Sequence, residues 1–357
     1  MSPTAATLEV PELSASTHAV AAEARHGLTS TPKSLAPWLF YDEAGSRLFE
    51  QITALPEYYL TRAERDIFTA HAGEIFHLAC RETGCPMSDG LTSDVGSPIA
   101  IVELGAGTAS KTGILLRALT RFQHTVLYQP IDISPTALDE ARANLELAIP
   151  AVTVHPRVAN YITDTVRIER PPHNRVLALY IGSSIGNFSP VEARNILARL
   201  RSELSPGDSL LLGADLAPCP PEAASPVKSA STLLAAYDDA AGVTAAFNRN
   251  ILSRLNRELG ANFRPEQFAH RALWNRTHSR IEMHLLSLVP QTATIPANSS
   301  GPAFTAHFEQ GETIHTENSY KFTPAAIDAL LADASFAPTR TFTDPKSLFA
   351  VSLAQAV

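Results

Sequence analysis

The segment Val102-Glu103-Leu104-Gly105-Ala106-Gly107-Thr108 follows a short apolar run and precedes a helical pattern, and it holds the chain's most chemically suggestive spacing. Glycines in such a turn let the backbone bend sharply and approach a ligand with no side chain in the way. A dinucleotide site asks for a third glycine three residues after Gly107, and Ser110 stands there, which argues against a nicotinamide-dependent oxidoreductase. An acid just before the turn, Glu103, suits a cationic ligand better than a pyrophosphate, which a helix N-terminus would hold. An adenosyl amino acid, with its sulfonium and ammonium groups, fits that description. Lys111 then either pairs with the ligand's carboxylate or lies on a solvated helix face. Asp132 ends the next apolar run, where a carboxylate can accept from both ribose hydroxyls; the alternative is a helix-capping role shared with Ser134.

The elements that must position these residues alternate strand and helix, the rhythm of a parallel α/β sheet. IAIVEL reads as a buried strand, and KTGILLRALTRF as a helix burying Ile114, Leu115, Ala118, Leu119 and Phe122. TVLYQPIDIS, RVLALYIGSSIGNF and SLLLGADL supply further strands, the last ending at Asp215. Ser134-Pro135 and Ser189-Pro190 open the intervening helices, a cap followed by proline in the first turn. After Asp215 the rhythm breaks into a Pro- and Ala-rich linker, APCPPEAASPVKSAS. AAFNRNILSRLNRELG is an amphipathic helix stopped by Gly260, with Arg254 and Arg257 on its solvated face. The alternation in ALWNRTHSRIEMHLLSLVPQTATI and FTAHFEQGETIHTENSYKF predicts antiparallel strands. Thr323 caps a short helix, and RTFTDPKSLFAVSLAQ is a hairpin returning to the main sheet. Upstream, WLFYDEAGSRLFEQITALPEYYLTRAERDIF reads as helix, turn and helix, punctuated by Gly45 and Pro56.

With 357 residues, 45% of them apolar, the chain can fill a large core in two lobes. A net charge of −8 argues against a nucleic-acid partner. Residues 1–30 are expected to form a loose tail, and 84–98 a surface loop. Cys80, Cys85 and Cys219 lack zinc-site spacing, so no metal is expected. The start carries Glu9 and Glu12 and no basic region, and no long uncharged apolar run follows; a cytoplasmic protein without membrane contact is expected.

Several longer strings add a sharper signal: WLFYDEAGSRLFEQITALPEYY, ELGAGTASKT, YQPIDIS, YIGSSIGNFSP, AAYDDAAGVTAAFNRNILSRLNRELGANF, RIEM and GETIHTENSYKF. From Trp38 to Phe349 the chain resembles the L-histidine Nα-methyltransferases of ergothioneine biosynthesis, which form hercynine with S-adenosyl-L-methionine. The resemblance implies an α/β fold, a class I (Rossmann-like) methyltransferase sheet with a second α+β substrate-binding domain. The expected partition is 31–61 and 221–320 for the substrate-binding domain, and 62–220 and 321–357 for the methyltransferase domain.

The same resemblance implies the site. Tyr41, Gly105, Lys111 and Asp132 match cofactor motifs, with Asn160 and Tyr161 standing where the family carries an acid and a phenylalanine. The Asn160 amide oxygen can still accept from the adenine amine. Tyr58, Gly182, Asn187, Tyr237, Met283, Glu317 and Ser319 match substrate motifs: Asn187 and Tyr237 for the carboxylate, Glu317 and Ser319 for the imidazole. Each has a plainer reading: Asn187 as a turn cap, Tyr237 and Met283 as core, Glu317 as an exposed strand residue. No strong base stands out for deprotonating the amine, and the Tyr41 hydroxyl is the candidate proton relay. A monomer acting on L-histidine is expected; the alternative is an N-methyltransferase of another amino acid such as tryptophan.

Overall fold

Six consecutive buried residues, Ile99–Leu104, leave no polar edge, so the strand they form needs cover on both faces. It sits inside an eight-stranded sheet of the computed structural model, which describes residues 15–80, 98–164, 166–218 and 228–357. Cys85, Cys219, most of the expected linker and surface loop, and the first fourteen residues lie outside the described residues. The strands run in the order Phe336–Thr343, Phe349–Ala356, Ser209–Asp215, Arg175–Tyr180, Ile99–Leu104, Val126–Asp132 and Val152–Val154, and Arg157–Val158 also pairs with Val126–Asp132. The central strands are parallel, and the C-terminal hairpin closes one edge antiparallel. From Ile99–Leu104 the chain moves outward to Val126–Asp132 and Val152–Val154, then returns as Arg175–Tyr180 on the other side. That reversal creates a switch point at the carboxyl ends of Ile99–Leu104 and Arg175–Tyr180, the place where such sheets bind ligands. The Gly105 and Gly182 turns leave from these two ends.

By contact, this sheet belongs to a unit of Tyr59–Ala230, Thr277–Ser279 and Ser319–Val357. Its helices start as the sequence predicts. Ser134 accepts from Ala137 N at 3.3 Å, Thr323 from Ala326 N at 3.2 Å, and Ser189 forms a reciprocal capping box with Glu192. The helix Thr112–Leu119 is shorter than expected and rotated: it buries Thr112, Leu115, Leu116 and Leu119, while Phe122 lies beyond its end and is exposed.

The other unit comprises Met1–Tyr58, Ser231–Arg276 and Arg280–Asn318. Its four-stranded sheet runs in the order Lys33–Ser34, Thr313–Tyr320, Arg280–Ser287, Phe268–Asn275, and Gln291–Ile295 pairs separately with Phe304–Phe308. The alternating burial of Arg280–Ser287 puts Ile281, Met283, Leu285 and Ser287 inside. Three expectations need correction here. Residues expected as a loose tail form the helix Ala15–Thr29, because Val20, Ala21, Ala24 and Leu28 make one buried stripe. Gly45 does not interrupt structure but lies inside the helix Glu43–Ala54, where a Cβ would collide with the Phe40 carbonyl oxygen. Arg254 is no solvated residue: it lies 5.8 Å from the Trp38 ring and donates to the Leu39 carbonyl at 3.0 Å.

Candidate active site

A strand that ends in two glycines frees backbone N–H groups, and a neighbouring acid collects one of them. Gly105 and Gly107 take left-handed φ values of 67° and 51°. The Gly107 N–H donates to Asp132 Oδ2 at 2.9 Å, and the Ser134 N–H to Oδ1 at 2.9 Å. Asp132 thus stitches the turn to the adjacent strand end while each oxygen keeps a second lone pair for a hydroxyl donor. A Cβ on Gly107 would meet nothing within 4 Å, so the turn opens onto free space. The Tyr161 ring lies 3.4 Å from where a Gly105 side chain would begin, and desolvation pushes its hydroxyl up to about 12. Asn160 follows the strand Arg157–Val158 beside Asp132, and its Oδ1 already accepts from Ile162 N at 3.0 Å; an adenine amine would share that oxygen. Gly105, Asp132, Asn160 and Tyr161 therefore surround one turn, with an acceptor, an aromatic face and glycine backbone suited to an adenosyl ligand.

Glu103 does not face this space. It is 2% exposed, and its Oε2 accepts from Thr112 Oγ1 at 2.7 Å and from the Tyr128 hydroxyl. Desolvation raises its pKa to about 7 against the two stabilising hydrogen bonds. Its place is beneath the turn, tying Thr112 to the sheet, which corrects the expectation that it meets a sulfonium.

Lys111 has a partner that the sequence reading missed. Its ammonium pairs with Glu64, a fully buried acid of the helix Leu60–Cys80. The other oxygen, Glu64 Oε1, accepts from Gly182 N at 2.7 Å. One carboxylate so joins the Gly105 turn's lysine to the turn after the next strand. Gly182 has φ 79°, and a Cβ there would lie 3.1 Å from Lys111 Nζ; a Cβ at Gly213 would overlap Glu64 Oε1. Glycine is needed at both positions to make room for the ion pair. A signal existed: Glu64 occupies a core position in the stripe Leu60, Ala63, Ile67, Phe68.

Beyond Gly182, the turn Ser184–Asn187 brings Asn187 to the partly exposed end of the same unit, and Gly186 packs on the Tyr320 backbone, where a Cβ would be 2.7 Å from the carbonyl oxygen. Next to it lies a buried charge cluster. Asp215 Oδ2 is 2.8 Å from Lys321 Nζ, Asp215 Oδ1 pairs with Lys228, and the Tyr59 hydroxyl donates to the same carboxylate at 2.9 Å. Lys321 Nζ also donates to Ser319 Oγ at 2.9 Å.

In the other unit, the remaining candidates stand on aromatic and strand scaffolds. Tyr41 meets the rings of Phe49 and Phe247 edge-on at 5.8 and 5.9 Å. Tyr58 meets Phe49 and Tyr237, each at 6.3 Å, and both tyrosines are buried. The helix Val243–Leu259 holds the Tyr41 segment: Arg254 takes the Leu39 carbonyl, while Asn250 and Arg257 take Asp42, the cap of the next helix. Met283 is 2% exposed and packs as core. Glu317 is half-buried on Thr313–Tyr320, two residues before Ser319 and so on the same strand face. Among the described residues no group of His, Cys, Asp and Glu could hold a metal ion, and no helix is long and apolar enough to cross a membrane.

Comparison with known proteins gives this geometry a context. The family model described as histidine-specific methyltransferase, S-adenosylmethionine-dependent, matches residues 20–356. The chain is 40% identical over 333 residues to a histidine N-alpha-methyltransferase of Mycolicibacterium smegmatis, covering 93% of each chain. It is 39% identical over 328 residues to one of Mycobacterium tuberculosis, covering 92% of each. With ergothioneine biosynthesis protein 1 of Neurospora crassa it shares 31% identity over 231 residues, 64% of this chain and 23% of that one.

Proposed function

The chain belongs to the histidine-specific, S-adenosylmethionine-dependent methyltransferase family, and from that premise we propose that it trimethylates the α-amine of L-histidine to hercynine, a step of ergothioneine biosynthesis. Its sheet is the class I methyltransferase sheet. The observation that carries the reading is Glu64, whose two oxygens tie Lys111, of the cofactor motif, to Gly182, of the substrate motif. A ligand pair bound at these two turns would lie side by side at the switch point of the sheet.

When bound, S-adenosylmethionine supplies an electrophilic methyl carbon. The protein's share is placement and proton handling. Asp132 is assigned to the ribose hydroxyls, Tyr161 and Asn160 to the adenine, and Lys111 to the carboxylate of the cofactor. Asn187 and Tyr237 are assigned to the substrate carboxylate; as neutral donors they bind it without placing positive charge beside a sulfonium. Glu317 and Ser319 are assigned to the imidazole, with Tyr58 and Gly182 shaping the pocket. The α-amine is mostly protonated at neutral pH and must lose one proton per transfer, so three leave overall. Tyr41 is the assigned relay to water, with most of the acceleration coming from holding nitrogen and methyl in line.

The test is a product mass. Incubation with L-histidine and S-adenosylmethionine should add three methyl groups. A product stopping at one methyl, or turnover of tryptophan in preference to histidine, would overturn the reading.

A further inference from the structure

Two hydrogen-bond partners of fixed polarity settle the protonation of the ring between them. His270 Nε2 lies 2.8 Å from the Tyr237 carbonyl oxygen, which can only accept, so Nε2 carries a proton. On the other side, the Asn248 amide nitrogen lies 2.8 Å from His270 Nδ1 and donates to the His284 carbonyl at 3.1 Å. The amide cannot be turned over, because its oxygen would then meet the His284 carbonyl oxygen with no proton between them. An amide nitrogen only donates, so Nδ1 must offer a lone pair. The ring is therefore neutral, in a single tautomer fixed from both ends. Its seat follows from register. His270 pairs across the strands with the fully buried Leu285, so it shares the face covered by the helix Val243–Leu259, which carries Asn248. Arg271 and its cross-strand partner His284 lie on the opposite face. The charges near the ring come from the segment before that helix and from the helix itself. Asp238 Oδ1 stands 3.9 Å from Nε2 and is exposed, Asp239 accepts from the Val243 and Thr244 N–H groups, and Arg249 follows Asn248. Desolvation outweighs the carbonyl and the two acids and holds the imidazole below its usual range.

We propose that His270 is a positioning residue: held in this tautomer by Asn248, it donates to the Tyr237 carbonyl and thereby sets the Tyr237 hydroxyl for the carboxylate of the substrate. Tyr237 sits on a short connection between the helices Ala230–Ala235 and Val243–Leu259. Its own N–H donates to the Leu234 carbonyl at 3.0 Å, and two residues later Asp239 caps the second helix. Between these ties the bond from His270 stops the peptide after Tyr237 from turning, and the Tyr237 ring stays edge-on to Tyr58 at 6.3 Å. Rotation of that peptide would swing the ring and carry its hydroxyl away. An imidazolium would set a second N–H against the Asn248 amide and break the relay. This rests on the assignment of Tyr237 to the substrate carboxylate.

The experiment measures kcat and KM for L-histidine on the full-length protein with S-adenosylmethionine in excess, and cofactor affinity by calorimetry. His270→Leu removes both hydrogen bonds of the ring. It should raise the histidine KM about tenfold, the worth of one hydrogen bond to a charged group, with kcat and cofactor affinity little changed. His270→Gln, whose amide can still donate to the Tyr237 carbonyl, should recover most of the loss. The deciding readout is a double-mutant cycle with Tyr237→Phe. If His270 acts through the tyrosine hydroxyl, His270→Leu adds no further rise in KM in that background. An additional rise of the same size there, or a native KM in His270→Leu alone, overturns the inference. Should His270→Leu not fold, Asn248→Leu takes its place in the cycle, since it releases the ring from its fixed tautomer. Long-range proton–nitrogen NMR spectra give a second readout on the native protein, with the His270 signals identified by their loss in His270→Gln. They should show a neutral ring protonated on Nε2 at pH 7.5; a proton on Nδ1 overturns the inference. An unchanged KM in Tyr237→Phe removes the carboxylate assignment and the inference with it, while absence of native histidine turnover removes the functional reading beneath both.

Discussion

Glu103 and Asp132 sit at the ends of neighbouring strands around one turn, yet burial separates their roles. Asp132 accepts two backbone N–H groups at the edge of open space, whereas Glu103 is sealed beneath the turn with Thr112 and Tyr128. Asp132→Ala should weaken S-adenosylmethionine binding tenfold or more, about the value of a hydrogen bond to a charged group; unchanged affinity by calorimetry would reject the ribose assignment. Glu103 has a pH signature. Its folded value, about 7, lies above the ordinary 4.5, so the folded chain holds a proton there that the unfolded chain has released. The stability it gives is complete below about 4.5 and is lost as the pH rises through about 7. Melting curves of the native chain and Glu103→Gln should thus diverge between pH 5 and 8, the variant gaining relative to the native protein. Parallel curves would show that the acid is not held neutral. Glu317→Ala should cut histidine turnover far more than cofactor affinity, since a ring N–H loses its acceptor; native-like kinetics would remove Glu317 from the site.

Elements decide which of these residues sequence makes visible. The Gly105 turn and Asp132 were legible because strand, turn and helix are consecutive and their signals are local. The caps at Ser134, Ser189 and Thr323 were legible for the same reason. Arg254 was not: alternation of polar residues along a helix cannot tell water from the exposed carbonyls of a distant turn. Lys321 and Asp215 come from segments far apart in sequence, and only the pairing of sheet ends puts them 2.8 Å from each other. Gly45 illustrates the same limit with a measurable consequence. Propensity alone favours alanine in a helix by about 1 kcal/mol. Here the added methyl would press on the backbone oxygen of Phe40 and reach 3.1 Å from Asn250 Nδ2, and overpacking of that kind costs about 1–3 kcal/mol. Gly45→Ala should lower the melting temperature and loosen the Tyr41 segment; a stabilised variant would show that the helix can shift freely.

Over the whole molecule, the groups that titrate between pH 7.5 and 5.5 pull the two units in opposite directions. His270, His284 and His315 all lie in the unit built on Phe268–Asn275, Arg280–Ser287 and Thr313–Tyr320, and desolvation lowers the pKa of each. Each ring takes up a proton less readily in the fold than in the unfolded chain, so its contribution is present above about 6.5 and is lost as the pH falls below it. Glu103, in the other unit, gains over the same range. The chain's two tryptophans, Trp38 and Trp274, both belong to the histidine-bearing unit and report on it by fluorescence. Their unfolding midpoint should drop between pH 7.5 and 5.5, and His284→Gln should shrink the drop, since His284 stacks on His315 at 4.9 Å. An equal drop in the variant would clear this pair of responsibility.

The seat of Glu64 makes residue 213 hostage to residue 64. A methyl at Gly213 would evict the acid, and with it the partner of Lys111 and of the Gly182 amide. Strong epistasis follows: a suppressor screen begun from Gly213→Ala should return shorter side chains at position 64, and libraries that vary one site at a time would never find the pair.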